Sequence, residues 1–318
     1  MTGTAILVPL DGSPSAEAAL PYAVALASAM GEELCLFAVA ERPDFGRLTG
    51  QNDLADDVLR VRHEGLRLYL DEVAARPALA ALTSRRQIAT GNPVDEILSA
   101  AADPSISLTA MATHGRGGVT RLLLGSVADK VMRLNTGPTL VVRSSDPPAP
   151  AHDIRIERIM VPLDGSPLAE AALAPAARYA RALDAKILLV RSVQPLDALV
   201  LSDGNYVDYS DADKAQDRAA LAYLSAARAR LGTEVASELL VVEQSPLQLP
   251  QYALDAGVDL VVMTTRGNGG MKRLALGSVA DRMARLGPSV LLVPAQVRET
   301  SEEAQHSPAA VAPHSAQA

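Results

Sequence analysis

Two short motifs carry residue types suited to holding a charged ligand, and each occurs twice. The first is PLDGS at residues 9–13 and again at 162–166, where an acidic side chain, Asp11 or Asp164, precedes a small polar turn. Such a carboxylate can accept hydrogen bonds from an amino or hydroxyl group of a ligand. It can equally be a carboxylate stabilised by the dipole of the helix it precedes. The second motif is a glycine-rich stretch, THGRGGVTRLLLGSV at 113–127 and TRGNGGMKRLALGSV at 265–279. Its Gly125-Ser126 and Gly277-Ser278 stand where a helix begins. Free backbone N–H groups, a hydroxyl and the positive end of the dipole there suit a phosphate. The alternative is that Ser126 only caps the helix and the glycines only permit a turn.

Both motifs are embedded in a larger repetition. ILVPLDGSPSAEAAL (6–20) returns as IMVPLDGSPLAEAAL (159–173) with 13 of 15 positions identical, and 113–134 returns as 265–286 with 14 of 22. Asp11 and Asp164 are 153 residues apart, and Gly125 and Gly277 are 152 apart. The repeating unit is therefore a whole domain, longer than the periods of roughly 20–50 residues that mark solenoids. A chain of 318 residues accommodates two such units. The expected layout is a first domain at 1–143, a Pro-rich linker at 144–155, a second domain at 156–296 and a disordered tail at 297–318.

Within each unit the pattern alternates between buried strands and amphipathic helices. AILVPL reads as a strand covered on both faces. Ser13-Pro14 then starts a helix that Gly31 should stop. LCLFAV (34–39), SRRQIAT (84–90), SLTAMA (107–112) and TLVVR (139–143) are further strands, with helices at 54–76, from Asn92 or Pro93 to about Ala101, and over SVADKVMRL (126–134). RIMVPL, KILLVRSV, ELLVVE, DLVVMT and SVLLVP repeat the strands in the second unit. Strand–helix alternation implies right-handed crossovers. The fold class is α/β: two repeated doubly wound domains, each with a mainly parallel five-stranded sheet flanked by helices. In such sheets ligands bind beyond the carboxyl ends of the strands. Both motifs fall at those ends, and so does the end of the second strand, Val39 or Val193, which either lines a pocket or belongs to the core.

Composition narrows the partners. Apolar residues make up 48% and charged residues 21%, with no Trp. A net charge of −8 and a pI of about 5.2 argue against a nucleic-acid binder, whose footprint is basic. No apolar run approaches the length of a membrane span. The single cysteine, Cys35, excludes an intrachain disulfide framework and should be a small buried apolar group. A soluble cytoplasmic protein is the expectation. No GxxxxGK[ST] loop is present, and Thr120 interrupts what begins as a dinucleotide fingerprint at Gly115. His114 becomes Arg266 in the second copy, so a catalytic role common to both is not expected.

These residues resemble the universal stress protein family in its tandem form, and the likeness runs through both units. Nucleotide-binding members carry Gly, two residues, Gly, nine residues, then Gly-Ser or Gly-Thr. Gly115 to Gly125-Ser126 and Gly267 to Gly277-Ser278 match the later part. Ala112 and Thr264 replace the front glycine. The resemblance implies an adenine-nucleotide-hydrolase-like fold and ATP as ligand, with or without Mg²⁺. In the first unit the implied contacts are Pro9, Leu10, Asp11 and Val39 around adenine. Met111, Ala112, Gly115, Gly125, Ser126 and Val127 would meet ribose and phosphates. In the second they are Pro162, Leu163, Asp164 and Val193, then Met263, Thr264, Gly267, Gly277, Ser278 and Val279. It also implies pairing of domains through their final strands, TLVVR against SVLLVP, within one chain or in a homodimer. The function so implied is a nucleotide-dependent stress-response regulator acting through partner or self-association. Two alternatives stay open: a weak ATPase or nucleotide-transferring enzyme, and a nucleotide-free dimerisation module. No catalytic residue is assigned.

Overall fold

The computed structural model describes residues 4–42, 52–113, 125–143, 154–194, 199–200, 206–207, 210–243, 245–265 and 276–294. The first domain runs β1 (Ala5–Pro9), α1 (Pro14–Glu17), α2 (Leu20–Met30), β2 (Glu33–Ala40), α3 (Asn52–Ala74), α4 (Pro77–Ala80) and β3 (Ser84–Thr90). It continues with α5 (Pro93–Ala101), β4 (Ile106–Ala112), α6 (Ser126–Leu134) and β5 (Thr139–Val142). The second runs β6 (Arg158–Pro162), α7 (Pro167–Glu170), α8 (Leu173–Leu183), β7 (Lys186–Val193), a hairpin of β8 (Leu199–Val200) and β9 (Tyr206–Val207), and α9 (Ser210–Arg228). It ends with β10 (Ser237–Glu243), a 3-10 turn at Pro246–Gln248, α10 (Leu249–Asp255), β11 (Leu260–Thr264), α11 (Ser278–Leu286) and β12 (Ser289–Val293).

The single helix expected between Ser13 and Gly31 is two. Pro21 has no N–H, and its ring crowds the carbonyl four residues back, at Glu17, where α1 ends. Pro175 produces the same break between α7 and α8. Gly31 closes α2 in the left-handed region with φ 65°, as its placement in the sequence suggests.

The strands form one sheet in the order β10-β7-β6-β11-β12-β5-β4-β1-β2-β3. Within this sheet every pair inside a domain is parallel, β5 and β12 join antiparallel with Leu140 opposite Leu291, and β8 and β9 form a separate antiparallel pair. The two final strands thus pair within one chain, and each hides an apolar edge of the other. One core continues across the junction on the α2/α3 and α8/α9 face. On the other face one core lies under α5 and α6 and a second under α10 and α11, and Met132 and Val141 of the first domain pack in the second. Cys35 lies fully buried in the first of these, and burial pushes its thiol pKa up. Ile154 and Ile156 already pack on the shared core, so packing begins within the last residues of the expected linker. Residues 144–153 and the tail lie outside the described residues.

A four-residue ion-pair ring closes the junction. Arg133 bonds Asp129 at 3.0 Å and Asp281 of the other domain at 2.6 Å, while Arg285 bonds Asp281 at 2.8 Å and Asp129 at 2.8 Å. Each guanidinium therefore spans both carboxylates. On the opposite side of the sheet Arg178 reaches the buried Glu32 at 2.8 Å.

Candidate functional site

The strand order reverses between β1 and β4, and between β6 and β11, which opens a crevice at the carboxyl end of each domain's sheet. Asp11 sits at its rim two residues beyond β1. One carboxylate oxygen accepts from the Ser13 backbone N–H at 2.9 Å and from its hydroxyl at 2.6 Å. The Ser13 hydroxyl oxygen in turn accepts from the Ala16 N–H at 3.1 Å and caps α1. The second domain repeats all three bonds, with Asp164 to Ser166 at 2.9 and 2.6 Å and Ser166 to Ala169 at 3.1 Å. Gly12 and Gly165, with φ of 80° and 87°, allow this turn.

The other helix starts are built differently. Gly125 is the N-cap of α6 and Gly277 that of α11, and neither helix has a side-chain cap. Ser126 is the first helical residue and not the cap, which corrects one of the two readings of that hydroxyl. The Gly125 N–H donates to the Thr113 carbonyl at 2.5 Å, and that of Gly277 to Thr265 at 2.8 Å. Both helix starts are thereby pinned just beyond β4 and β11, beside the strand that carries the Asp. The N–H groups of Ser126, Val127 and Ala128 open the helix with no side-chain cap among the described residues.

Val39, Met111 and Val127 share one face and pack together at the edge of the α5/α6 core. Met263 and Val279 make the matching wall in the second domain. Val193 does not match Val39. The Leu10 N–H bonds the Phe37 carbonyl and the Leu163 N–H bonds that of Val190, so Val39 corresponds to Ser192. A shift of one residue turns Val193 to the opposite face. Pro9 and Pro162 end their strands, partly buried. Leu10 and Leu163 are 4% and 3% exposed within the core, so their side chains do not line the crevice. Ala112 and Thr264 close extended strands and neither has positive φ. The backbone there makes no demand for glycine. Gly115 and Gly267 lie outside the described residues.

One functional-looking group was not read from the sequence. Arg191 of β7 stands where the first domain has Ala38. Its guanidinium lies 4.9 Å from the Tyr223 ring centroid and packs under Gly165, and its Nη1 is buried without a hydrogen-bond partner. The available signal was a lone Arg inside the apolar run KILLVRSV. In the first domain the equivalent Tyr69 instead donates to Glu17 at 2.9 Å. Among the described residues no group of three or more His, Cys, Asp or Glu could hold a metal ion, and no helix is long and apolar enough to cross a membrane.

The family model for universal stress proteins matches residues 4–143 and again 155–294. The chain belongs to the universal stress protein family. Among its relatives, the universal stress protein YxiE of Bacillus subtilis is 32% identical over 145 residues, 43% of this chain and 97% of that protein. The universal stress protein Rv2005c of Mycobacterium tuberculosis is 27% identical over 174 residues, 55% of this chain and 57% of that protein. The matched segment thus spans little more than half of the mycobacterial relative. A solved universal stress protein from Archaeoglobus fulgidus DSM 4304 superposes with a TM-score of 0.65 at 18% identity, covering 93% of this chain and all of that one. It shares the tandem fold.

Proposed function

We propose that this universal stress protein binds an adenine nucleotide, ATP with Mg²⁺, in the crevice of each domain, and that occupancy changes its association with a partner or with itself. The observation that carries this reading is the contrast between helix starts. Ser13, Asn92 and Ser166 cap their helices with their own side chains, whereas α6 and α11 begin on glycine and their first N–H groups have no side-chain cap among the described residues. Those groups and the dipole behind them fit a phosphate chain. Asp11 and the Val39–Met111–Val127 wall, one strand away, suit a base edge and an apolar ring face. Mg²⁺ would be held by the phosphates and water. The second crevice offers Ser192 in place of Val39, so its wall is more polar. Stress-response work in the cytoplasm follows the family. No catalytic residue is assigned.

The test is nucleotide content followed by titration. Freshly purified protein is denatured and its released small molecules identified, and the emptied chain is titrated with ATP and Mg²⁺. Two equivalents are expected, the first domain binding more tightly. Folded protein that neither carries nor takes up nucleotide would overturn the reading.

A further inference from the structure

The flank of α5 holds a cavity of about 240 Å³. It runs between α5 and the edge strand β3, from Ala89 down to Ile106 at the start of β4. Its upper end therefore stands beside Val39, the register partner of Ala89, and its lower end at the amino ends of β3 and β4. Its floor is Leu7 and Phe37, and its walls carry Arg85, Gln87, Glu96 and Asp103.

The charges on these walls are only partly matched, since Arg85 acts on Asp103 at one end while Glu96 stands at the other. Arg85 donates to the Ser105 hydroxyl at 3.1 Å and forms no ion pair with a described carboxylate. Asp103 is at the same end and accepts from the Ser105 N–H at 2.8 Å; that bond and Arg85 hold its carboxyl below the usual range. Glu96 is at the other end. Its side chain lies over Gly91, where any Cβ would collide with it, and no described donor engages the carboxylate. Seven residues separate Glu96 from Asp103, about 10 Å along a helix axis. One cation and two anions leave the walls one negative charge in excess.

The register shows which residues the second domain places at these positions. Gln87 pairs with Phe37 as Leu240 pairs with Val190, and Arg85 pairs with Cys35 as Glu238 pairs with Leu188. Leu240 and Tyr252 pack into the second core, and Arg158 takes up Glu238 at 3.2 Å. Apolar filling on one side and opposed charges on the other separate two domains that otherwise repeat each other closely.

We propose that this cavity is a binding site for a free basic α-amino acid of lysine size. Arg85 takes the carboxylate, Asp103 the α-ammonium and Glu96 the distal ammonium, with the methylenes over Gln87 and Phe37. Lysine separates its two nitrogens by a chain of about 6 Å, and hydrogen bonds of about 3 Å at each end complete the span. Its single positive charge cancels the excess on the walls. A ligand of this size falls below the roughly 300–1,000 Å³ of drug-sized pockets. The partly open walls put its affinity in the millimolar class.

The probe is L-lysine, titrated calorimetrically into the full chain, with L-norleucine and cadaverine as analogues lacking the distal ammonium and the carboxylate. One saturable equivalent of lysine is expected, with each analogue bound at least about tenfold more weakly. Glu96→Gln and Arg85→Ala should each weaken lysine at least about tenfold while leaving ATP titration and melting temperature unchanged. No saturation up to about 10 mM, norleucine binding as well as lysine, or indifference to both substitutions would overturn the proposal. None of these outcomes depends on whether nucleotide binds.

Discussion

The two domains are built on one plan yet solve the same positions with different chemistry. Both tie an Asp into the turn after the first strand, and both open the fourth-strand crossover helix on glycine. They part company at the second strand. The first domain places Ala38 and Val39 there, one facing each core. The second places Arg191 and Ser192, leaving a buried guanidinium nitrogen unpartnered beneath Gly165 and a hydroxyl in the apolar wall. Such a nitrogen costs roughly 1–3 kcal/mol. The backbone hydrogen bonds of the crevice survive these exchanges because they depend on main-chain atoms and on the Asp-Gly-Ser triplet. What varies is the surface against which a base would lie.

The largest effect should come from closing the helix starts one at a time. Gly125→Val and Gly277→Val each put a branched side chain where phosphate must approach backbone, and each should remove one equivalent of ATP, weakening that site at least about 100-fold. Calorimetric titration of both variants, with melting curves to verify folding, reads this directly. Undiminished binding would show that the phosphates lie elsewhere.

Alanine at the turn glycines separates the domains by stability. Gly12→Ala carries the cost of a left-handed alanine, about 1 kcal/mol. At Gly165 the new Cβ would also stand 2.6 Å from Arg191 Nη1, so the loss should exceed that of Gly12→Ala by about 1 kcal/mol. Thermal melting checks it, and adding Arg191→Ala should remove the difference.

The ring at the junction should instead show no preference. Arg133→Gln and Arg285→Gln each leave both carboxylates with one guanidinium fewer, and the side chains are 27–32% exposed. Equal losses of about 1 kcal/mol, smaller in high salt, are expected from melting at two ionic strengths. Smaller still is the exchange of wall residues. Ser192→Val should strengthen ATP at the second site a few-fold and Val39→Ser weaken it a few-fold at the first, from the apolar area gained or lost.

Alkaline pH offers a final contrast. Burial, and then the nearby Glu170 carboxylate, pushes the Tyr223 phenol up to about 12. Burial, then Glu32, does the same for Tyr179 at the junction. The unfolded chain releases these protons near pH 10, so stability intact below pH 10 should be lost as pH climbs towards 12. Unfolding followed against pH should show a shallower alkaline loss in Tyr223→Phe than in the parent.

Much of this was legible in the residues. The run SVADKVMRL became α6 with both ends in place, because Gly125 opens it and Asn135 leaves the helical region. The α/β class followed from strands buried on both faces. The equivalence of Val39 and Val193 failed for the same physical reason that made the strands easy to find. A continuous apolar run carries no alternation to fix its register, so a shift of one residue is invisible. The split at Pro21 was readable in principle but was outweighed by a strong cap at Ser13 and a strong stop at Gly31. The β8–β9 hairpin had a turn signature, Asp203-Gly204 between Leu199-Val200 and Tyr206-Val207, but the apolar runs beside it are too short to read as strands. Neither the ion-pair ring nor the α5 cavity could be read, since both depend on which helices meet across the sheet.

The antiparallel seam between β5 and β12 has a further consequence. In two separate chains it would be a self-complementary contact, lost on dilution and altered on both sides by any one substitution. Joined by a short connection, each half meets the other at an effective concentration in the millimolar range. The assembly therefore persists at any dilution in which the chain itself stays folded. Each half is also released from mirroring its partner, so a change at Leu291 need not be accepted at Leu140.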